Sequence, residues 1–389
     1  MKSIKDINIK NKKVLIRVDY NVPIINGTIK DSSRINASLE TIKYCIDNSC
    51  KIILMSHLGR PVNQDSKYSL KIIFEYLRKI FPGKVFFSKN CISKDSINKS
   101  ENLNAGEIHL LENLRFYKQE IDNESLFCEK LSKHADIYIN DAFGTAHRMH
   151  ASNVGITKYF EDKGFGFLIA KEIKYLDYLI KNSKKNICLI LGGAKISDKI
   201  KLINRFIDIA DSILIGGAMS NNFLYAKGFN IGKSLFEENY VSYASDILRK
   251  KSKTKIYCPL DLICTEDVNL KLNIRTSKAE DINDNEFAVD IGPLTRLLYA
   301  DVISKSQCVI WNGPMGIAEI SDYSDGTIAI IDAMKENTIN ESVSIIGGGD
   351  TGALIDKKEY HSFTHISTGG GACLKLLSGD VMPSFKALC

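Results

Sequence analysis

Arginine is scarce in this chain, and its placement carries chemical information. Of the 52 lysines and arginines only ten are arginine, and six of those ten precede residue 150. Lysine is the default surface cation, so an arginine is expected for its planar fork, which grips carboxylate or phosphate with two parallel hydrogen bonds. Four short apolar runs in the first half end on groups of this kind. Val14–Ile16 leads to Arg17, Asp19 and Asn21, and Ile52–Met55 leads to His57, Leu58, Gly59 and Arg60. Ile108–Leu111 leads to Glu112 and Arg115, and Ile137–Ile139 leads to Asn140, Asp141, His147, Arg148 and His150. If the strand ends converge, Arg34, His57, Arg60, Arg115 and Arg148 line one crevice with Asp19 and Asn21 nearby, a pocket for a small, highly anionic molecule. For any one arginine the plainer reading is an ion pair with a local acid. The four arginines and His57 together favour the pocket. Arg17 sits inside the first run and reads as structural.

The second half pairs apolar runs with glycine. Ile187–Leu191 stops at Gly192-Gly193, Ser212–Ile215 at Gly216-Gly217 and Val309–Trp311 at Asn312-Gly313-Pro314. Val343–Ile346 stops at Gly347-Gly348-Gly349, and His365–Thr368 at Gly369-Gly370-Gly371. Bare backbone N–H groups gathered at such turns suit phosphate. Lys195 and Lys199 are four apart before Ile200, Ile203 and Ile207, which places both on the first turn of a helix. There they oppose the helix dipole unless an anion joins them, or they are two solvated lysines. Asp350, beside Thr351 at a helix start, reads as an N-cap, as a hard oxygen ligand for Mg²⁺, or as both. Gly228–Ser234 only resembles a phosphate loop, because the required first glycine falls at Lys227. Gly347, Gly349 and Gly352 fit a dinucleotide fingerprint, but no acid follows about twenty residues on to hold a ribose. That absence counts against a two-domain dehydrogenase. A non-catalytic metabolite-binding protein would explain the anion pocket but not Lys195, Lys199 and Asp350. The pairs His147/His150 and His361/His365 lack the Glu or Cys of a zinc site.

The elements needed to position these groups are legible in outline. Four-to-five-residue runs rich in Ile and Val and bounded by Gly predict buried parallel strands. Ile35, Leu39, Ile42 and Ile46 predict a helix from Arg34 that packs on the sheet. At 389 residues, 44% hydrophobic and 25% charged, the chain implies two or three domains of an ordinary globular protein. The net charge of +6 is spread along the chain, which gives no support to a nucleic-acid or membrane partner. The ten cysteines form no CxxC pair. Cys188, Cys258, Cys308 and Cys373, in or beside predicted strands, read as buried thiols of a cytoplasmic protein. The N-terminus has no apolar stretch to act as a signal peptide.

The motifs RVDYNVP (17–23), SHLGRP (56–61), LLENLRF (110–116), NDAFGTAHRMHAS (140–152), LGGAKISDKI (191–200), DIGPLT (290–295), WNGPMGIAE (311–319), SIIGGGDTGA (344–353) and ISTGGGACL (366–374) stand in one order along the chain. Through them the chain resembles the phosphoglycerate kinase family over essentially its whole length. The resemblance implies an α/β monomer of two Rossmann-like parallel-sheet lobes joined by a helical hinge. The first lobe would span 1–165, with the tail 371–389 returning to it; 166–185 would be the interdomain helix and 186–370 the nucleotide lobe. Gly164, Gly166 and Gly369–Gly371 are expected to flex. The implied reaction is reversible, Mg²⁺-dependent phosphoryl transfer from 1,3-bisphosphoglycerate to ADP. Asp19, Asn21, Arg34, His57, Leu58, Gly59, Arg60, Arg115 and Arg148 would hold 3-phosphoglycerate. Gly193, Lys195, Lys199, Gly217, Asn312, Pro314, Glu319, Gly348, Gly349, Asp350 and Thr351 would hold the nucleotide, with Asp350 on the metal and Arg34, Lys195 and Lys199 catalytic. Ala218, Ala288, Asn222 and Ala318 depart from the family's usual residues on the base and ribose side, which leaves nucleotide preference open.

Overall fold

The computed structural model describes residues 1–181 and 186–389, and the side chains of these apart from 176–181 and 349–350. The chain divides into two compact units, Met1–Lys174 with Asp380–Cys389, and Tyr175–Gly379. The strands of the first unit are β1 (Lys2–Ser3), β2 (Lys13–Val18), β3 (Ile24–Ile25), β4 (Thr28–Ile29), β5 (Lys51–Met55), β6 (Val85–Ser88), β7 (Ile108–Leu111), β8 (Ile137–Asp141) and β9 (Lys163–Phe165). Seven of them form one sheet in the order β1-β9-β8-β2-β5-β7-β6. All its pairings are parallel. Alternate residues of a strand serve different cores. Val14, Ile16 and Val18 pack with Ile52, Leu54, Ile108 and Ile137 on one side, while Leu15, Ile53, Met55, Leu111 and Tyr138 pack on the other. A sheet covered on both faces needs apolar residues at every position, which is why these strands read as unbroken runs.

The helix expected from Arg34 is two, Ser33–Ala37 and Leu39–Asp47. The break falls at Ser38, whose hydroxyl bonds the Ile35 carbonyl at 2.8 Å and Tyr20 Oη at 3.0 Å. A side chain that bonds its own preceding turn competes with the helix ladder. The Asn26-Gly27 turn of the β3–β4 hairpin has both residues in the left-handed region, as a two-residue hairpin demands.

The second unit contains β10 (Ile187–Leu191), β11 (Ser212–Ile215), β12 (Lys255–Tyr257), β13 (Asp261–Thr265), β14 (Arg275–Lys278), β15 (Phe287–Ile291), β16 (Cys308–Asn312), β17 (Val343–Ile346) and β18 (His365–Ile366). Six are parallel in the order β12-β11-β10-β16-β17-β18. Counted within that sheet the order is 3-2-1-4-5-6, the doubly wound order whose crevice lies between strands 1 and 4. Here that is the junction of β10 and β16. The antiparallel β14-β13-β15 sheet is an addition that the apolar runs did not announce.

A helix, Phe167–Lys181, contains the division between the units; the rest of the expected interdomain segment, 182–185, lies outside the described residues. Its start is held from β8. Asp141 accepts from Leu168 N at 2.9 Å, Ile169 N at 3.2 Å and Thr41 Oγ1 at 2.6 Å. Gly166, expected to flex, is a close-packing glycine, because a Cβ there would strike the Asp141 carboxylate. The return of the tail starts later than residue 371. Gly371–Leu377 is a helix of the second unit, which places Cys373 in a helix, and only Asp380 onward joins the first unit. There Phe385 stacks on Phe143, with ring centroids 6.4 Å apart, and Ser384 N bonds Ala146 O. Nine of the ten cysteines are buried and none is in a disulfide. No described helix is long and apolar enough to cross a membrane.

Burial gives the fold opposing pH dependences. His109 and His134 share Ser100 Oγ at 2.8 and 2.6 Å, and desolvation drives them down to about 3 and about 4. Desolvation also lowers His150 to about 4 and His57 well below 6.5, and it raises Asp141 and Asp290 to about 7. A histidine held neutral contributes stability that is present above its ordinary pKa and lost as pH falls toward the folded value. The raised aspartates contribute below the ordinary carboxylate range and lose that contribution as pH rises through about 7. Burial raises Glu120 as well, and four histidines outweigh these three acids, so the melting temperature falls as pH is lowered from about 7 toward about 4. Asp141→Asn falls more steeply because it lacks the offsetting carboxyl. Thermal melts across that range check this, and a shallower fall in the variant contradicts it.

Candidate active site

In the first unit the carboxyl ends of β2, β5, β7 and β8 deliver the expected residues to one place. Asp19 is buried and stands 3.3 Å from Arg34 Nη1 and 3.9 Å from His57 Nδ1. Arg34 Nη1 also donates to Asn21 O at 2.9 Å, and Asn21 Oδ1 accepts from Gly59 N at 2.8 Å. Arg115 donates to the Gly59 carbonyl. Arg148 joins through its field: desolvation lowers its pKa, Asp19 opposes that, and Arg17, Arg60 and Arg34 reinforce it. With Arg17 balanced by Glu120, three arginines still act around the single carboxylate of Asp19, which leaves uncompensated positive charge for an anion. Two donors, His57 Nε2 and Arg115 Nε, are buried with no protein partner, the condition a bound acceptor would relieve. Arg60 is exposed. A neighbouring cavity of about 380 Å³ is lined by Asn21, Leu58, Gly59 and Tyr68 among others but by none of the arginines.

Sequence reasoning placed Glu112 at a strand end but assigned neither it nor Asn113 a part in shaping this crevice. Glu112 accepts from Ser69 Oγ at 2.7 Å, Leu70 N at 2.8 Å and Asn113 N at 2.7 Å. Asn113 bonds both the N–H and the carbonyl of Leu58. Together they pin the loop carrying His57 to Arg60. Asn at the turn after an apolar run was the available signal. Arg17 is also closer to the chemistry than expected, its Nη2 lying 3.2 Å from His57 Nδ1.

In the second unit the glycine turns interlock at the β10–β16 junction. Gly192 N donates to Asn312 O at 3.0 Å, Gly193 N to Pro314 O at 2.8 Å, Gly216 N to Leu191 O at 2.8 Å and Gly217 N to Met315 O at 2.8 Å. Gly347 N donates to Trp311 O at 2.8 Å and Gly313 N to Thr351 Oγ1 at 2.8 Å. These N–H groups are therefore not bare, and the glycines are needed for close backbone approach. At Gly217, φ is +64° and a Cβ would strike the Gly193 backbone. Gly217→Ala is expected to destabilise the second unit by roughly 2–4 kcal/mol, from left-handed strain and the clash together. A melting temperature unchanged from wild type would show that the turns can separate.

Lys195 and Lys199 are not on a helical turn, because the helix starts at Ile200 with Lys199 at its N-cap position. Glu237 pins the segment between the two lysines by accepting from Ser197 N at 2.9 Å and Ser197 Oγ at 2.8 Å. Although partly desolvated, Glu237 is kept below its usual range by those bonds and by the charge of Lys195. Lys195 is exposed, whereas Lys199 is buried and donates to Asn312 Oδ1. Asn312 Nδ2 in turn donates to the Gly347 carbonyl. The helix Gly349–Ala353 has Gly348 at its N-cap, so Asp350 is not the cap; its side chain lies outside the described positions.

Beside this polar end is a cavity of about 320 Å³ lined by Gly193, Gly217, Pro314 and Glu319, with Ala218 and Ala288, and closed by Leu235, Leu262, Phe287, Val289 and Met315. Mostly apolar walls with a few polar groups suit a flat heterocycle. Asn222 and Ala318 do not line it. Asn222 spends its amide on the Glu237 backbone, at 2.7 and 3.1 Å. Among the described residues no cluster of three or more His, Cys, Asp or Glu could hold a metal ion.

An anion crevice in one α/β unit, with a heterocycle cavity beside a lysine and glycine loops in the other, is the equipment of a phosphotransferase acting between a nucleotide and a small anionic metabolite. The chain belongs to the phosphoglycerate kinase family, whose model matches residues 4–380. Phosphoryl transfer in glycolysis is the activity that goes with that family. The phosphoglycerate kinase of Helicobacter hepaticus is 43% identical over 392 residues, covering 100% of this chain and 96% of the relative. That of Finegoldia magna is 42% identical over 393 residues, covering 100% and 98%. The solved structure of phosphoglycerate kinase from Coxiella burnetii matches with a TM-score of 0.90 at 33% identity, covering 100% of this chain and 98% of that one.

Proposed function

We propose that this chain transfers the acyl phosphate of 1,3-bisphosphoglycerate to ADP, reversibly, through the two sites described. The gathering of Arg34, Arg148 and His57 around Asp19 carries the reading, because it leaves unpaired donors and excess positive charge where a phosphorylated carboxylate would sit. Asp19, Asn21, Leu58, Gly59, Arg60 and Arg115 complete the 3-phosphoglycerate site. Asp19 and the Asn21 carbonyl orient Arg34, whose free edge faces the transferring group.

The nucleotide base occupies the apolar cavity of the second unit. Its phosphates run toward Lys195, Lys199, Asn312 and the Gly348–Thr351 turn. Mg²⁺ arrives with the nucleotide. One carboxylate plus phosphate oxygens is an ordinary environment for it, and Asp350 is the carboxylate assigned to that role. The transfer needs no covalent intermediate, only in-line placement and cations on the moving phosphoryl group, which Arg34, Lys195 and Lys199 supply. The protein is read as a cytoplasmic monomer without a nucleic-acid or membrane partner. The test is formation of ATP from 1,3-bisphosphoglycerate and ADP by the purified protein. No ATP above the uncatalysed rate would refute the reading.

A further inference from the structure

Arg17 is one of the largest fully buried side chains in the molecule, and the proposed anion site does not use it as a ligand. Its guanidinium is engaged on three sides. Nε donates to Ser152 Oγ at 2.8 Å, Nη1 to the Val18 carbonyl, and Nη2 lies 3.2 Å from His57 Nδ1. A guanidinium has only donors and does not lose its proton in proteins. His57 Nδ1 must therefore present its lone pair, which leaves the ring proton on Nε2. The competing partner, Asp19 Oδ1, would need a proton on Nδ1, but at 3.9 Å it is out of hydrogen-bond reach. Nε2 is the ring nitrogen that no protein group satisfies.

Arg17 is itself aimed from behind. The Ser152 hydroxyl donates to Glu120 Oε1 at 2.6 Å and Ser152 N donates to Oε2 at 2.9 Å, so the serine turns a lone pair toward Arg17 Nε. Glu120 is 1% exposed and is the counter-charge of Arg17, reached through that hydroxyl. Tyr138 Oη fixes the same serine by donating to its carbonyl at 2.7 Å. Such a directed chain is costly to bury and is stable only when every member is satisfied.

We propose that Arg17 is a positioning residue: through Nδ1 it locks His57 in the Nε2–H tautomer, so that a neutral N–H donor points at the bound anion, with Ser152 and Glu120 holding Arg17 in line. The inference rests on the reading of His57 as part of the 3-phosphoglycerate site. Burial and the charges of Arg17, Arg148, His150 and Arg34 all oppose protonation of the ring, so the donor is an imidazole and not an imidazolium.

Long-range ¹H–¹⁵N spectra of the intact, histidine-labelled protein read the tautomer directly, with His57 assigned by its loss in His57→Gln. The wild type is expected to show the Nε2–H pattern, unchanged between about pH 6 and pH 8. Arg17→Met alone would strand Glu120, so the informative variant is Arg17→Met with Glu120→Gln. It is expected to populate the Nδ1–H form facing Asp19 and to raise the KM for 3-phosphoglycerate about tenfold or more, with the KM for ADP within about twofold. Arg17→Lys, which keeps a donor and the charge, restores the Nε2–H pattern. It also serves as the readout should the double variant not fold. A wild-type ring protonated on Nδ1, or a double variant that keeps both tautomer and KM, overturns the proposal alone. An unchanged KM in His57→Gln overturns the site reading and this proposal with it.

Discussion

Arg34→Ala lowers turnover by on the order of 10³-fold or more while leaving ADP affinity within about twofold. The asymmetry follows from where the residue sits. Arg34 belongs to the first unit, on the short helix Ser33–Ala37, and its partners there are Asp19 and the Asn21 carbonyl. With 27% of its side chain exposed, it keeps an edge free after those contacts, and that edge is what alanine removes. The fold loses more than it would from a surface pair, because Asp19 is buried, but Arg148 still acts on that carboxylate and limits the loss. The developing charge on the transferring phosphoryl group, by contrast, loses a pre-aimed planar donor. Calorimetry with ADP and steady-state rates on the same preparation separate the two effects. Activity within about tenfold of wild type, or a large loss of ADP affinity, would remove Arg34 from the reaction.

The local pattern revealed the strands well because sheets covered on both faces demand it. The run Ile187–Leu191 is β10 and Val343–Ile346 is β17, residue for residue. The runs ending near Trp311 and Ile139 are longer than they looked, since Asn312, Asn140 and Asp141 still pair in the ladder while their side chains do other work. What could not be read is contact across the chain. Arg17 appears structural in sequence because Ser152, which turns it toward His57, is 135 positions away. The break at Ser38 was hidden for a similar reason, since its Tyr20 partner lies outside the helical stripe. The glycines misled in an instructive way. Composition marked them as phosphate cradles, yet at Gly192, Gly193, Gly216 and Gly217 the N–H groups are consumed by neighbouring turns. A glycine-rich loop thus has two physical uses, and only the fate of its N–H groups distinguishes them.

Lys199→Met is expected to lower turnover by on the order of 10³-fold, weaken ADP binding about tenfold and leave 3-phosphoglycerate binding unchanged. Of the two lysines read as catalytic, it is the buried one, 8% exposed, and its ammonium is placed at the end of β16 by Asn312, which also reaches the Gly347 carbonyl at the end of β17. A lysine in that position can be a phosphate cation or simply a tie between two strand ends. The two roles differ in what methionine removes. Met fills nearly the same volume with an apolar chain, so a pure tie costs a hydrogen bond's worth of stability, about 1 kcal/mol, and lowers nucleotide binding only as far as Asn312 shifts. A cation acting on the moving phosphoryl group is needed most in the transition state, so its loss appears in kcat beyond any change in ADP affinity. Melting curves with and without Mg-ADP, read beside kcat, separate the two. A kcat within about tenfold of wild type, with a lower melting temperature, would leave Lys199 as a strut and shift the catalytic charge of the second unit to Lys195 and the turn at Gly348–Thr351.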